Sequence, residues 1–244
     1  MPQTTFKSQP HSSDMKQTLV ILILVALAAA VGGTAVFAQQ YVKRNLPTSA
    51  NIKLHFTTQA PYGNWAEPWQ NACEETSVIM VDTFYKGDTL SKEKAKQEIL
   101  RVFNLKTKQF GASKDESMDR VADLINSADL VWKAKVVVAP TLDDIKNELA
   151  EQRPVIIPVD ARKLTSNPQY EVSTVKYHVF ILSGYDDEKQ QFIAQDPGIS
   201  RGANFRYGYN EIMNAISDYL IQQGQQANLT DASTRKAVIF TEKR

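Results

Sequence analysis

Apolar positions along this chain follow three rhythms. From Leu19 to Ala38 they run unbroken, with Lys16 before them and Lys43 and Arg44 after. At the helical rise such a run spans about 30 Å, the thickness of the hydrocarbon core of a bilayer. It predicts a transmembrane signal anchor over residues 17–38, or a signal peptide cut after Val36-Phe37-Ala38, where Val and Ala satisfy the small-residue rule. The run is apolar on every face and lies at the N-terminus, which argues against a buried core helix. Residues 1–16 are polar and read as a cytoplasmic tail, and residues 39–51 read as a stalk.

The second rhythm has helical spacing. Cys73, Ser77, Met80, Val81 and Phe84 fall on one face, with Gly87 as the stop. Asn71 is placed to cap this helix, and Glu74 three residues on would complete a capping box. Further helices are predicted over 91–103, 117–126 (Met118, Val121, Leu124 and Ile125 inward), 141–149 (Thr141 as cap, Ile145 and Leu149 inward) and 209–221. The third rhythm consists of alternating or short apolar runs, predicting strands over 52–56, 135–138, 154–159, 177–185, 191–195 and 237–240. Asp186-Asp187-Glu188-Lys189 makes the turn of a hairpin between two of these strands. Residues 57–70 read as loop, broken by Pro61, Gly63 and Pro68. Helices lead and strands follow, so residues 52–244 read as one α+β domain with N-terminal helices packed on an antiparallel sheet.

Composition removes several classes of function. The chain has 244 residues, 43% hydrophobic and 23% charged, with a formal net charge of +1. No strong positive field and no basic block with interleaved aromatics points to nucleic acid. No phosphate-binding glycine loop, His-Glu-x-x-His or paired cysteine motif calls for a metal or cofactor, and none is expected. Lysines on both flanks of the apolar run leave its orientation open by charge. Export of the C-terminal part is the usual outcome for a short N-terminal tail, so the expected location is a single-pass membrane protein with an extracytoplasmic domain.

Candidate chemistry centres on Cys73, the one cysteine in the chain. It cannot form an internal disulfide, and a leftover thiol in an oxidising compartment flags chemistry or intermolecular pairing. A helix start favours the thiolate, because unpaired N–H groups there attract negative charge. Glu74 and Glu75 oppose this if they face the sulfur. The bland alternative is a small buried hydrophobe. His178 interrupts the run Tyr177-His178-Val179-Phe180-Ile181-Leu182, where an imidazole is costly without partners. Alternation puts it on the side of Phe180 and Leu182. Asp196, across the hairpin, is placed to hold the ring in one tautomer, although an aspartate before Pro197 also suits a plain turn. Gln59 and Gln70 are candidate side-chain donors to an oxyanion, together with the Cys73 N–H. Trp65 and Trp69 flank the same loop and either wall a substrate groove or bury the loop against the core.

Several segments together resemble the cysteine peptidase family 39-like domains of the papain-like superfamily. They are His55-Phe56-Thr57-Thr58-Gln59-Ala60-Pro61, Trp65, Asn71-Ala72-Cys73-Glu74-Glu75-Thr76-Ser77, His178-Val179 through Gly184-Tyr185-Asp186-Asp187, and Asp196-Pro197-Gly198. The resemblance covers about Ile52 to Phe240. It implies Cys73 as nucleophile, His178 as general base, Asp196 as its orienter, and Gln59 as the glutamine ending the family's opening motif. The family's usual Cys-Gly-Pro is Cys-Glu-Glu here, and Glu67 stands where the leader peptidases carry a closely spaced glutamine. The expected activity is hydrolysis of a peptide or protein substrate. Acyl transfer to an amine by the same three residues, as in transglutaminase-like enzymes, is an alternative. So is a non-catalytic domain that binds peptide or cell-wall material.

Overall fold

The alternating segments pair into one seven-stranded sheet in which every pairing is antiparallel. The computed structural model describes residues 46–112, 115–171, 176–218 and 236–244. The tail, the anchor or signal peptide expected over 17–38, most of the stalk and residues 219–221 of the last expected helix lie outside the described residues. Among the described residues no helix is long and apolar enough to cross a membrane.

In chain order the strands are β1 (Ser49–Asn51), β2 (Trp132–Val138), β3 (Val155–Asp160), β4 (Tyr177–Asp186), β5 (Gln191–Gln195), β6 (Phe205–Gly208) and β7 (Ala237–Lys243). The longer helices are α1 (Cys73–Lys86), α2 (Lys92–Phe110), α3 (Met118–Ser127) and α4 (Leu142–Ala150), and α5 (Pro168–Glu171) and α6 (Tyr209–Ala215) are short. Across the sheet the order is β2-β7-β3-β4-β5-β6, with β1 also paired to β4. The strand expected over 52–56 is displaced to Ser49–Asn51, upstream of Ile52 in the segment read as stalk. Tyr185 Oη anchors that start by donating to the Pro47 carbonyl at 2.6 Å.

Central β4 is buried from Tyr177 through Tyr185, which explains its unbroken apolar run. Its side chains feed two cores. Tyr177, Val179 and Ile181 pack with α1, α2 and α3 on one face. Phe180 and Leu182 pack on the other with Ile145 and Leu149 of α4 and Ile212 of α6. The sheet is therefore covered on both faces. Each fully buried aliphatic side chain contributes about 1.5–3 kcal/mol, and this two-sided burial holds the strand ends in register.

Helix boundaries follow local chemistry. Ser91 and Ser117 cap α2 and α3, and Thr141 with Asp144 forms a capping box on α4. Gly87 ends α1 at φ 70°, a left-handed cap that suits glycine. The capping box expected from Asn71 and Glu74 does not form. Ala72 occupies the cap position, with no side-chain acceptor, and Asn71 Nδ2 donates instead to Glu67 Oε1 at 2.7 Å. A single 3-10 turn, Trp69–Asn71, leads into the helix. Helix α2 runs seven residues beyond its predicted end at Phe103, because Lys106 finds a buried carboxylate partner in Glu75 at 2.6 Å. Helix α6 stops at Ala215, since Ile216 turns to bridge Val159 on β3.

Candidate active site

At one end of β4 the chain brings together three separate pieces of sequence. Gln59 joins two of them. Its amide Nε2 donates to the Trp69 and Gln70 carbonyls, both at 3.0 Å, in the turn that leads into Cys73. Its backbone N–H donates to the Pro197 carbonyl at 3.0 Å, next to Asp196. The third piece is the start of β4, which carries His178. His178 Nε2 lies 2.7 Å from Asp196 Oδ1, with both residues buried.

Asp196 carries no solvent exposure, yet its carboxyl lies below the usual carboxylate range. Burial alone would push it up. The electrostatic pull of the neighbouring His178 ring and hydrogen bonds from His178, Tyr207 and Tyr170 outweigh that burial. A carboxylate accepts and does not donate, so Nε2 carries the ring proton and Nδ1 holds a free lone pair. Among the described residues no hydrogen bond engages Nδ1.

The thiol end has the opposite character. Cys73 is 4% exposed and begins α1. Its Sγ–H donates to Glu74 Oε2 at 3.1 Å, and among the described residues no hydrogen bond links Sγ to the imidazole. Burial pushes the thiol well above its ordinary range. The charges of Glu74 and Asp115, the hydrogen bond to Glu74 and the charge of Glu75 add to the rise. The expected lowering by the helix start is thus overturned here: burial, with the acids packed against the sulfur, outweighs the helix N–H groups. Glu74 itself is pushed up to about 8, chiefly by burial, with Lys106 pulling down and Asp115 and Glu75 pushing up. Its Oε1 accepts the Glu116 N–H at 2.9 Å.

Sheet geometry sets how the two ends relate. Cys73 packs in the core that contains Tyr177 and Val179, whereas His178 shares its side with Phe180, as alternation predicts, and its ring lies 5.7 Å from that of Phe180. The Tyr170 ring lies 5.5 Å from that of His178.

The remaining candidates take mixed places. Both Gln59 amide protons are committed to carbonyls, which also fixes the orientation of the amide, and Oε1 is buried without a partner. Gln70 is exposed and donates to Glu67 Oε1 at 2.7 Å. Trp65 is 40% exposed, while Trp69 is half-buried and packs against the α1 core. Trp69 also lines a shallow groove with Ala60, Pro61, Tyr62, Asn64 and Lys96. Sequence reasoning missed Tyr170, Tyr207 and Asn167. They lie outside every motif it used, and only hairpin registry and the placement of α5 bring them to Asp196.

Residues 53–228 match the Peptidase_C39 like family. The chain belongs to that family. Its fold is also similar to the crystal structure of a Bacillus anthracis protein provisionally designated a C39-like peptidase. That match has a TM-score of 0.51 and 13% sequence identity, and it covers 80% of this chain and 98% of the other. No curated protein matches this chain. Membership in the Peptidase_C39 like family supports a peptidase-type function with a peptide or protein substrate. The low identity of the structural match bears on the fold alone.

Proposed function

We propose that this Peptidase_C39 like protein is a cysteine peptidase in which Cys73 is the nucleophile, His178 the general base and acid, and Asp196 the group that orients the ring. The observation that carries the reading is the His178–Asp196 pair, which leaves Nδ1 as the proton acceptor. In the reaction, Sγ leaves Glu74 and turns to Nδ1, which takes its proton. The thiolate attacks the scissile carbonyl carbon, and the C–N bond breaks as Nδ1 returns the proton to the leaving amine. Nδ1 then deprotonates a water that attacks the thioester, and the carboxylic acid departs as Sγ is restored. The Cys73 N–H, at a helix start with no side-chain cap, is the proposed oxyanion donor. Gln59 braces the two ends and does not serve the oxyanion in this conformation. The anchor read from residues 17–38 completes the reading with an extracytoplasmic domain, and recovery of the full chain in a carbonate-washed soluble fraction would exclude it.

The test is a Cys73→Ala variant on peptide libraries. Turnover is expected to fall by roughly 10³-fold or more. Unchanged turnover rules out the mechanism. A second reading has one observation in its favour: the buried thiol held by Glu74 suits a non-catalytic binding domain. Iodoacetamide separates the two, since fast alkylation near neutral pH supports the enzyme and an inert thiol supports the binding domain.

A further inference from the structure

The inference rests on the peptidase reading and deepens it. Asp196 is fully buried, and its two oxygens are surrounded by donors. Oδ1 meets His178 Nε2 at 2.7 Å, Tyr170 Oη at 3.0 Å and the Gly198 N–H at 3.0 Å. Oδ2 meets Tyr207 Oη at 2.7 Å and Tyr170 Oη at 3.1 Å, so the Tyr170 proton is shared between the two oxygens. Asn167 Nδ2 donates to Tyr207 Oη at 2.9 Å. That bond occupies an acceptor lone pair of the phenol and directs its proton at Asp196.

The surroundings leave no slack. Asn167, Tyr170 and Tyr207 are all buried, and Tyr207 stacks on Phe180, the neighbour of the His178 ring. Gly198 has no side chain where a Cβ would stand 2.7 Å from both His178 Cε1 and Tyr170 Oη. The Asp-Pro-Gly segment is therefore a fitted wall of the same box. Tyr170 comes from α5, Tyr207 from β6 and Asp196 from the end of β5, so three elements fix one carboxylate. A charge taken out of water at this depth stays ionised only if donors replace the water. A lone aspartate–histidine contact does not need two phenols; an aspartate that must remain a fixed anion beside a ring that gains and loses a proton does.

The geometry points to Tyr170 and Tyr207 as positioning residues of the peptidase, a phenol clamp that holds Asp196 ionised and fixes the His178 ring through Nε2. Neither is a catalytic residue in this scheme, since both act through Asp196. The consequence has a definite sign. Removing a phenolic donor raises the pH at which Asp196 takes up a proton, so catalysis fails at a higher pH on acidification.

The test uses Tyr207→Phe, Tyr170→Phe and the double variant of the full chain, with Tyr185→Phe as control. Tyr185 also loses a buried hydroxyl, but its partner is Pro47, away from the site. Two profiles are recorded against pH: kcat/KM on a peptide, and the rate of Cys73 alkylation by iodoacetamide, which needs no substrate. Melting curves confirm folding, and Phe keeps the ring volume. The expected result is an acid limb displaced to higher pH in both profiles for each site variant, more in the double, and unmoved in the control. In the peptide assay kcat falls roughly 10-fold per hydroxyl, with KM unchanged within about twofold. Folded Phe variants with parental pH profiles overturn the clamp and leave the peptidase reading standing, provided Cys73→Ala is inactive. Full turnover by Cys73→Ala overturns the peptidase reading and the clamp with it.

Discussion

The two halves of the candidate site bury charge in opposite ways. Around Asp196, four donors from His178, Tyr170, Tyr207 and Gly198 replace water, and the carboxylate stays ionised with no solvent contact. Around Cys73, the buried groups are mostly acids. Glu74, Glu75 and Glu116 line a small cavity together with Lys106 and Arg120, and Asp115 adds its charge to the thiol. Lys106 is buried and pairs with Glu75 at 2.6 Å. Where donors suffice, burial leaves a carboxyl in its charged form, and where they do not, the proton stays on. One half therefore holds a charged carboxylate beside an imidazole, while the other holds its thiol as a hydrogen-bond donor to Glu74.

Three variants break or sharpen that contrast, in descending order of effect. Lys106→Met removes the cation from the acidic half and leaves Glu75 buried without its ion-pair partner. Urea unfolding at pH 8 should show a loss of about 3–5 kcal/mol, shrinking as acid protonates the carboxyls. A loss below about 1 kcal/mol would mean the acids need no counter-charge.

Glu74→Gln probes the same half by pH. The native state holds a proton on Glu74 up to about pH 8, while an unperturbed carboxyl releases it near 4.5. Between those values the folded chain binds more protons than the unfolded one, so stability falls as pH rises through the window and levels above it. The variant should lack that decline in a series of melts. An equally steep fall in both proteins would place its source elsewhere.

Gln59→Leu cuts the tie between the halves. Two backbone carbonyls lose a donor, but a buried unpartnered oxygen also disappears, so the net cost to stability is about 1 kcal/mol. The same variant should lower the Cys73 alkylation rate, because the thiol and imidazole ends lose their common brace. An unchanged rate would make Gln59 a loop residue with no bearing on the site.

Much of this arrangement was legible along the chain. Periodicity located α1 at Cys73, the hairpin of β4 and β5, the starts of α2 and α3 and the cap at Thr141, since these depend on neighbours three or four residues away or on simple alternation. Alternation also put His178 on the side of Phe180. The shift of the first strand to Ser49–Asn51 was not legible, because its pairing with Asn51 opposite Gly184 is settled more than a hundred residues away. The capping box at Asn71 failed for a related reason: Glu74 finds better partners in the Cys73 thiol and the Glu116 N–H than in the helix cap.

By itself the sequence determined which elements hold Cys73 and His178 and which face of β4 the imidazole takes, because local spacing and alternation are written in neighbouring positions. Tertiary structure alone decided the protonation of each group. Whether a carboxyl, a thiol or a phenol keeps its proton depends on depth from water and on donors and charges arriving from distant segments: Tyr170 and Tyr207 to Asp196, and Glu116 and Lys106 to the acids beside Cys73.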